Sequence, residues 1–124
     1  MSGLRRILTG AARLPLKVKS LTYGVISSSN NNVLFNCYVY LQLSPKTALD
    51  WKIKLFFIIK DENGNSLGSQ PPTPIVKTTP NGDGIYKVLI KTLSTRPATA
   101  EITFLVGSDS GATAIKYNGT FEQE

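Results

Sequence analysis

Between residues 33 and 43 the apolar side chains fall on alternate positions. Val33, Phe35, Cys37, Val39, Leu41 and Leu43 share one face, and Asn36, Tyr38, Tyr40 and Gln42 share the other. A period of two belongs to a strand with one buried face; wound into a helix, this set would scatter around the whole circumference. The run therefore commits the chain to sheet, with a tyrosine-rich outer face. Residues 51–60 repeat the pattern: Trp51, Ile53, Leu55, Phe57 and Ile59 point inward, and Lys52, Lys54 and Lys60 point outward. Phe56 and Ile58 break that polar face, so its far end is expected to be covered.

Further strands are expected at 17–26, 85–92, 98–106 and 112–121, with a short edge strand at 75–78. Turn chemistry separates them. Asn63-Gly64 predicts a type I′ turn, and Asn81-Gly82-Asp83-Gly84 a second tight turn. Residues 66–74, punctuated by Pro71, Pro72 and Pro74, read as a loop and cannot be a central strand. About seven strands with closely spaced turns and no helix within the body predict an all-β fold, a two-sheet antiparallel β-sandwich spanning residues 17–124. A chain of 124 residues has room for one such domain.

Charge divides the chain differently. Residues 1–20 hold Arg5, Arg6, Arg13, Lys17 and Lys19 and no acid, so five of the six net positive charges sit there. Residues 1–16 are read as a basic N-terminal anchoring arm. As a helix, residues 3–14 would align Leu4, Ile7, Leu8 and Ala11 in one stripe, with Ser2 as cap and Pro15 as stop; an extended arm fits equally well. The apolar stretch 7–12 is too short for a secretory signal and Arg13 follows it, and no run approaches the roughly 18–20 apolar residues of a membrane helix.

Catalytic chemistry finds few candidates. There is no histidine and one cysteine, so a Ser–His or Cys–His nucleophile pair is excluded, and zinc and redox-metal sites lack ligands. Cys37 reads as a small buried hydrophobe. Asp61, Asp83 and Asp109 lie in turn sequences, where short acceptors cap backbone donors. No enzyme, cofactor or metal is expected.

The stretch 53–107 resembles a bacterial immunoglobulin-like domain of the invasin/intimin type. The likeness rests on the strand leading into Asp61-Glu62-Asn63-Gly64-Asn65, then Thr78-Thr79-Pro80-Asn81-Gly82-Asp83-Gly84 ahead of Tyr86-Lys87-Val88-Leu89-Ile90. A Thr/Ser spacer at 92–95 and the strand 98–106 follow. The resemblance implies an immunoglobulin-like sandwich. Members usually occur as tandem repeats of long secreted proteins, and similar modules decorate the heads and tails of tailed phages.

Three readings of the arm stand. Its cations contact nucleic-acid phosphates; it lies on an anionic membrane; or its apolar residues dock in a neighbouring subunit while its arginines pair with that subunit's acids. The third uses both halves of its chemistry and is the expectation. The partner-binding residues are then Leu4, Arg5, Arg6, Ile7, Leu8, Arg13, Leu14, Lys17 and Lys19. Tyr38, Tyr40, Lys52 and Lys54, with Lys60 and Lys87 nearby, form a second, surface-binding candidate. The expected function is a non-enzymatic structural subunit of a virion, a capsid decoration or tail component assembled in the host cytoplasm as part of an oligomer. An adhesion or carbohydrate-binding module and a nucleic-acid-binding protein are the alternatives.

Overall fold

The computed structural model describes residues 15–27, 32–44, 53–75, 80–107 and 113–124. The described chain is all-β. It comprises β1 (Leu16–Ser27), β2 (Val33–Leu43), β3 (Ile53–Lys60), β4 (Ser66–Pro74), β5 (Ile85–Leu93), β6 (Thr99–Val106) and β7 (Thr113–Gln123). Pairing runs β4-β3-β6-β7-β1-β2-β5. One half is β1-β2-β5, the other β4-β3-β6-β7, and β7 belongs to both. Its residues 113–120 pair antiparallel with β6, and Phe121–Gln123 pair in parallel with Leu21–Tyr23 of β1. Seven strands in this order make one curled, mixed sheet whose two halves share a single buried cluster. The expected purely antiparallel sheet is thus corrected to a mixed one, because β7 crosses between halves and must meet β1 running the same way.

The alternation read from sequence positions the core. Phe35, Cys37, Val39 and Leu41 of β2 face Leu55, Phe57, Ile59, Ile102 and Phe104 of the opposite half in a single buried cluster. Phe57, Phe104, Cys37, Val39, Leu41 and Ile59 have no exposed surface. Among the described residues this core holds no polar or charged side chain.

Residues 66–74 form a strand rather than the expected loop. β4 is an edge strand, and its register against β3 shifts between Gln70 and Thr73, where Pro71 and Pro72 fall; edges and bulges are where a sheet tolerates proline. The type I′ expectation at Asn63-Gly64 is also corrected. Gly64 N donates to Asp61 O and Asp61 N to Asn65 O, with Gly64 at φ 84°. That is a type I turn closed by a left-handed glycine, the three-residue hairpin loop. Asn81 to Ile85 repeats it, Gly84 standing at φ 76°. Leu16, assigned to the arm, is the first residue of β1 and lies in the core, 2% exposed. Of the 75–78 edge strand, Ile75 N bonds to Ile53 O, and the remainder lies outside the described residues.

Strand directions sort the connections between two ends. At one end lie the start of β1, the end of β2, the starts of β3, β5 and β7, and the ends of β4 and β6, because Leu16 pairs with Leu43, Gln42 with Ile85, Ile53 with Val106 and Val106 with Thr113. Pro15, which joins the leader to β1, lies at this end. The opposite end carries the Asp61–Asn65 turn and the β1–β2 hairpin. There β1 and β2 overhang: β5 stops opposite Phe35 and the β7 pairing stops at Tyr23. Val25, Ile26 and Val33 are 43%, 44% and 44% exposed on this overhang.

Candidate functional site

The leader's end of the sandwich is basic. Leu4, Arg5, Arg6, Ile7, Leu8, Arg13 and Leu14 lie outside the described residues. Lys17 and Lys19, read as arm residues, belong to β1 and are exposed. Lys19 is the extra residue of a bulge between Val18 and Ser20. Lys54 is exposed near the same end, on β3 opposite Leu105. Asp83, in the turn before β5, is the one acid there among the described residues. The opposite end carries Asp61 and Glu62.

The tyrosine and lysine candidates separate. Tyr38 and Tyr40 lie on the outer face of β1-β2-β5, whereas Lys54 and Lys60 lie on the outer face of the other half; Lys52 is outside the described residues. Two sandwich halves turn their outer faces in opposite directions, so no single aromatic and basic platform forms. Sequence alternation identified which residues point outward but not which half each strand joins.

What assembles around the tyrosines is a closed clasp. Tyr40 pairs with Lys87 in register and Tyr38 with Leu89. Lys87 Nζ stands 4.2 Å from the centroid of the Tyr38 ring and 5.9 Å from that of Tyr40. Its charge meets Glu124 Oε1 at 3.0 Å, and the Tyr40 hydroxyl donates to Glu124 Oε2. Glu124 is held by its own backbone, Glu124 N donating 3.0 Å to Tyr23 O. The clasp joins the end of β7 to β5 across β1 and β2. Burial pushes the Glu124 carboxyl up, yet the Tyr40 hydroxyl and Lys87 ammonium outweigh it and hold the group below the usual carboxylate range. The hydrogen bond to Glu124 raises Lys87. Burial and then Glu124 raise Tyr40. With Lys87 laid on Tyr38 and neutralised by Glu124, this face offers little free aromatic surface for stacking. Glu124 lies 84 residues from Tyr40, and no local signal predicts the contact.

On the other outer face, Phe56, Ile58, Glu101, Thr103, Lys116 and Asn118 line a shallow hollow of about 390 Å³. Phe56 and Ile58 are half-buried without a covering layer among the described residues. Lys60 pairs with Glu101 at 3.4 Å on its rim.

The turn aspartates and asparagines serve the backbone. Asp61 Oδ1 accepts from Asn63 N and Asn65 N, each at 2.9 Å, and Asn81 Oδ1 from Asp83 N at 2.8 Å and Ile85 N at 3.0 Å. The bond from Asn65 N leads the contributions that lower the Asp61 carboxyl. Among the described residues no three of Cys, Asp and Glu gather to ligate a metal. Burial pushes the Cys37 thiol up to about 12, far from a reactive thiolate. No helix among the described residues is long and apolar enough to cross a membrane.

Comparison with known proteins returns no match: no family model, curated protein or solved structure aligns with the chain.

Proposed function

We propose that this chain is a non-enzymatic structural subunit, a virion component of the capsid-decoration or tail type, anchored in its assembly by the leader. The observation that carries the reading is the polarity of the sandwich. The leader, with Arg5, Arg6 and Arg13, is joined to the end where Lys17, Lys19 and Lys54 are exposed. Clustered cations of this kind favour an acidic protein surface. The overhanging β1–β2 hairpin stands at the opposite end, so an anchored sandwich projects it. The resemblance of residues 53–107 to immunoglobulin-like modules supports the same reading. The Tyr38/Tyr40 face supports an adhesion role less well, because Lys87 already occupies it.

Deletion of residues 2–14 tests the proposal. The sandwich should keep its β circular dichroism and lose incorporation into particles. Unchanged incorporation refutes it. DNA or RNA affinity that falls steeply with salt and depends on Arg5, Arg6 and Arg13 would replace it with the nucleic-acid reading.

A further inference from the structure

A sandwich has sheet edges, and an unpaired edge invites a foreign strand unless it is guarded. Three edges here carry guards. β4 has Pro71, Pro72 and Pro74 and two register shifts against β3. β5 has Lys87, Lys91 and a register shift at Ile90. The seam between β4 and β5 is closed by the Lys91 stem, whose Cε lies 3.2 Å from where a Cβ on Gly68 would stand. β1 has its bulge at Lys19 before it meets β7.

β7 is different. From Thr113 to Thr120 it pairs with β6 through eight consecutive positions without a shift. Its other edge meets β1 at Phe121–Gln123 and, among the described residues, pairs with no strand before that point. This open length has no proline and no bulge, and its one charge, Lys116, belongs to the outer face. The seam it borders is apolar and incompletely covered: Val18 of β1 and Ile115 and Tyr117 of β7 are partly buried against the core.

We propose that this open edge of β7 receives, by strand addition, residues 7–14 of a second copy of the chain. The inference rests on the anchoring role of the leader and names its receptor. In extended form the segment alternates Leu8, Gly10, Ala12 and Leu14 against Ile7, Thr9, Ala11 and Arg13. The first set is apolar and small, suited to a narrow seam beside Val18, Ile115 and Tyr117; Arg13 falls on the other face. Eight residues match the eight of the open edge. Residues 7–14 span about 26 Å at ~3.3 Å each, the length of the open edge, and they adjoin Pro15 directly, so the two sandwiches must abut where Pro15 lies. Pro15 O already accepts from Ser44 N, continuing the β1–β2 ladder to its last rung. Backbone bonds supply the affinity and the alternate side chains the register.

The test uses the full chain. Its sedimentation and amide exchange are followed against concentration, for the wild type, for Ala12→Asp in the leader, and for Ile115→Lys, which gives the seam the kind of guard Lys91 supplies on the other side. The wild type should self-associate. Amides of residues 7–14 and the alternate amides of 113–119 that point away from β6 should slow together, by about ten-fold or more, as concentration rises. Ala12→Asp lies outside the sandwich and should abolish both effects while circular dichroism is unchanged; Ile115→Lys should do the same. Fast exchange at every concentration of the 113–119 amides that point away from β6 overturns the inference, as does self-association that survives Ala12→Asp, or protection of the leader in a monomer. If any of these appears while deletion of residues 2–14 still abolishes incorporation, the strand-addition site falls and the anchoring role stands.

Discussion

The clasp of Tyr40, Lys87 and Glu124 makes the sharpest test of how the two halves are held together. Glu124→Gln keeps the shape of the side chain and one acceptor but removes its charge. The Lys87–Glu124 pair is partly exposed, 44% and 29% for the two side chains. Such pairs contribute about 0.2–1 kcal/mol. A hydrogen bond to a charged acceptor is worth about 1.5–3 kcal/mol when sheltered, and solvent reduces that here. The substitution should therefore cost about 1–2 kcal/mol. With a urea slope of about 1.5 kcal/mol/M, the unfolding midpoint should fall by about 1 M at pH 7.

The pH dependence has a definite sign. Glu124 is held below its ordinary value, so its contribution is complete above the unfolded carboxylate pKa and disappears as pH falls through the folded one. Lys87 and Tyr40 are both raised, so theirs are complete below the unfolded values of 10.5 and 10.0 and disappear as pH climbs through the folded ones. Wild type and Glu124→Gln should then differ most between those limits and converge in acid. Urea titrations followed by circular dichroism at pH 7 and pH 3 measure both effects. Equal midpoints at pH 7, or a gap as wide at pH 3, would refute the clasp.

Two further experiments probe the crossing of β7 and the interior. A Cβ on Gly119 would stand 2.5 Å from Tyr117 Cε2 and 3.0 Å from Leu21 Cδ1, where β7 passes from β6 to β1. Gly119→Ala should cost about 1–3 kcal/mol in urea unfolding, and much less when made in a Tyr117→Ala background, since the Tyr117 ring is the nearer obstacle. An equal cost in both backgrounds would clear Tyr117. Cys37, fully buried with its thiol pushed up to about 12, should react with a disulfide dye only as the sandwich opens. Labelling should therefore slow wherever urea titration shows higher stability, and rapid stoichiometric labelling of the native chain would contradict its burial.

Period-two alternation was enough to read β2, β3 and β6, because each has one face in the core, and the inward residues at 35, 37, 39 and 41 are the buried ones. β4 was missed for a physical reason: proline rules out a central strand and says nothing against an edge. The turn at Asp61–Asn65 was located from Asn-Gly but mistyped, since the Asp61 side chain, four residues ahead of Asn65, selects a type I turn and leaves Gly64 alone in the left-handed region. Pairing order was the real blind spot. Alternation assigns each residue a face but gives no strand its neighbours, so Lys54 and Tyr40, alike in pattern, end on opposite sides of the molecule. The same ignorance hid Glu124, which acquires its partners only when β7 crosses onto β1. That crossing is also what leaves the first eight residues of β7 without a second partner strand among the described residues. A strand shared between two halves meets β1 only at its far end, and among the described residues its near end, the one where Pro15 lies, has β6 alone as a partner.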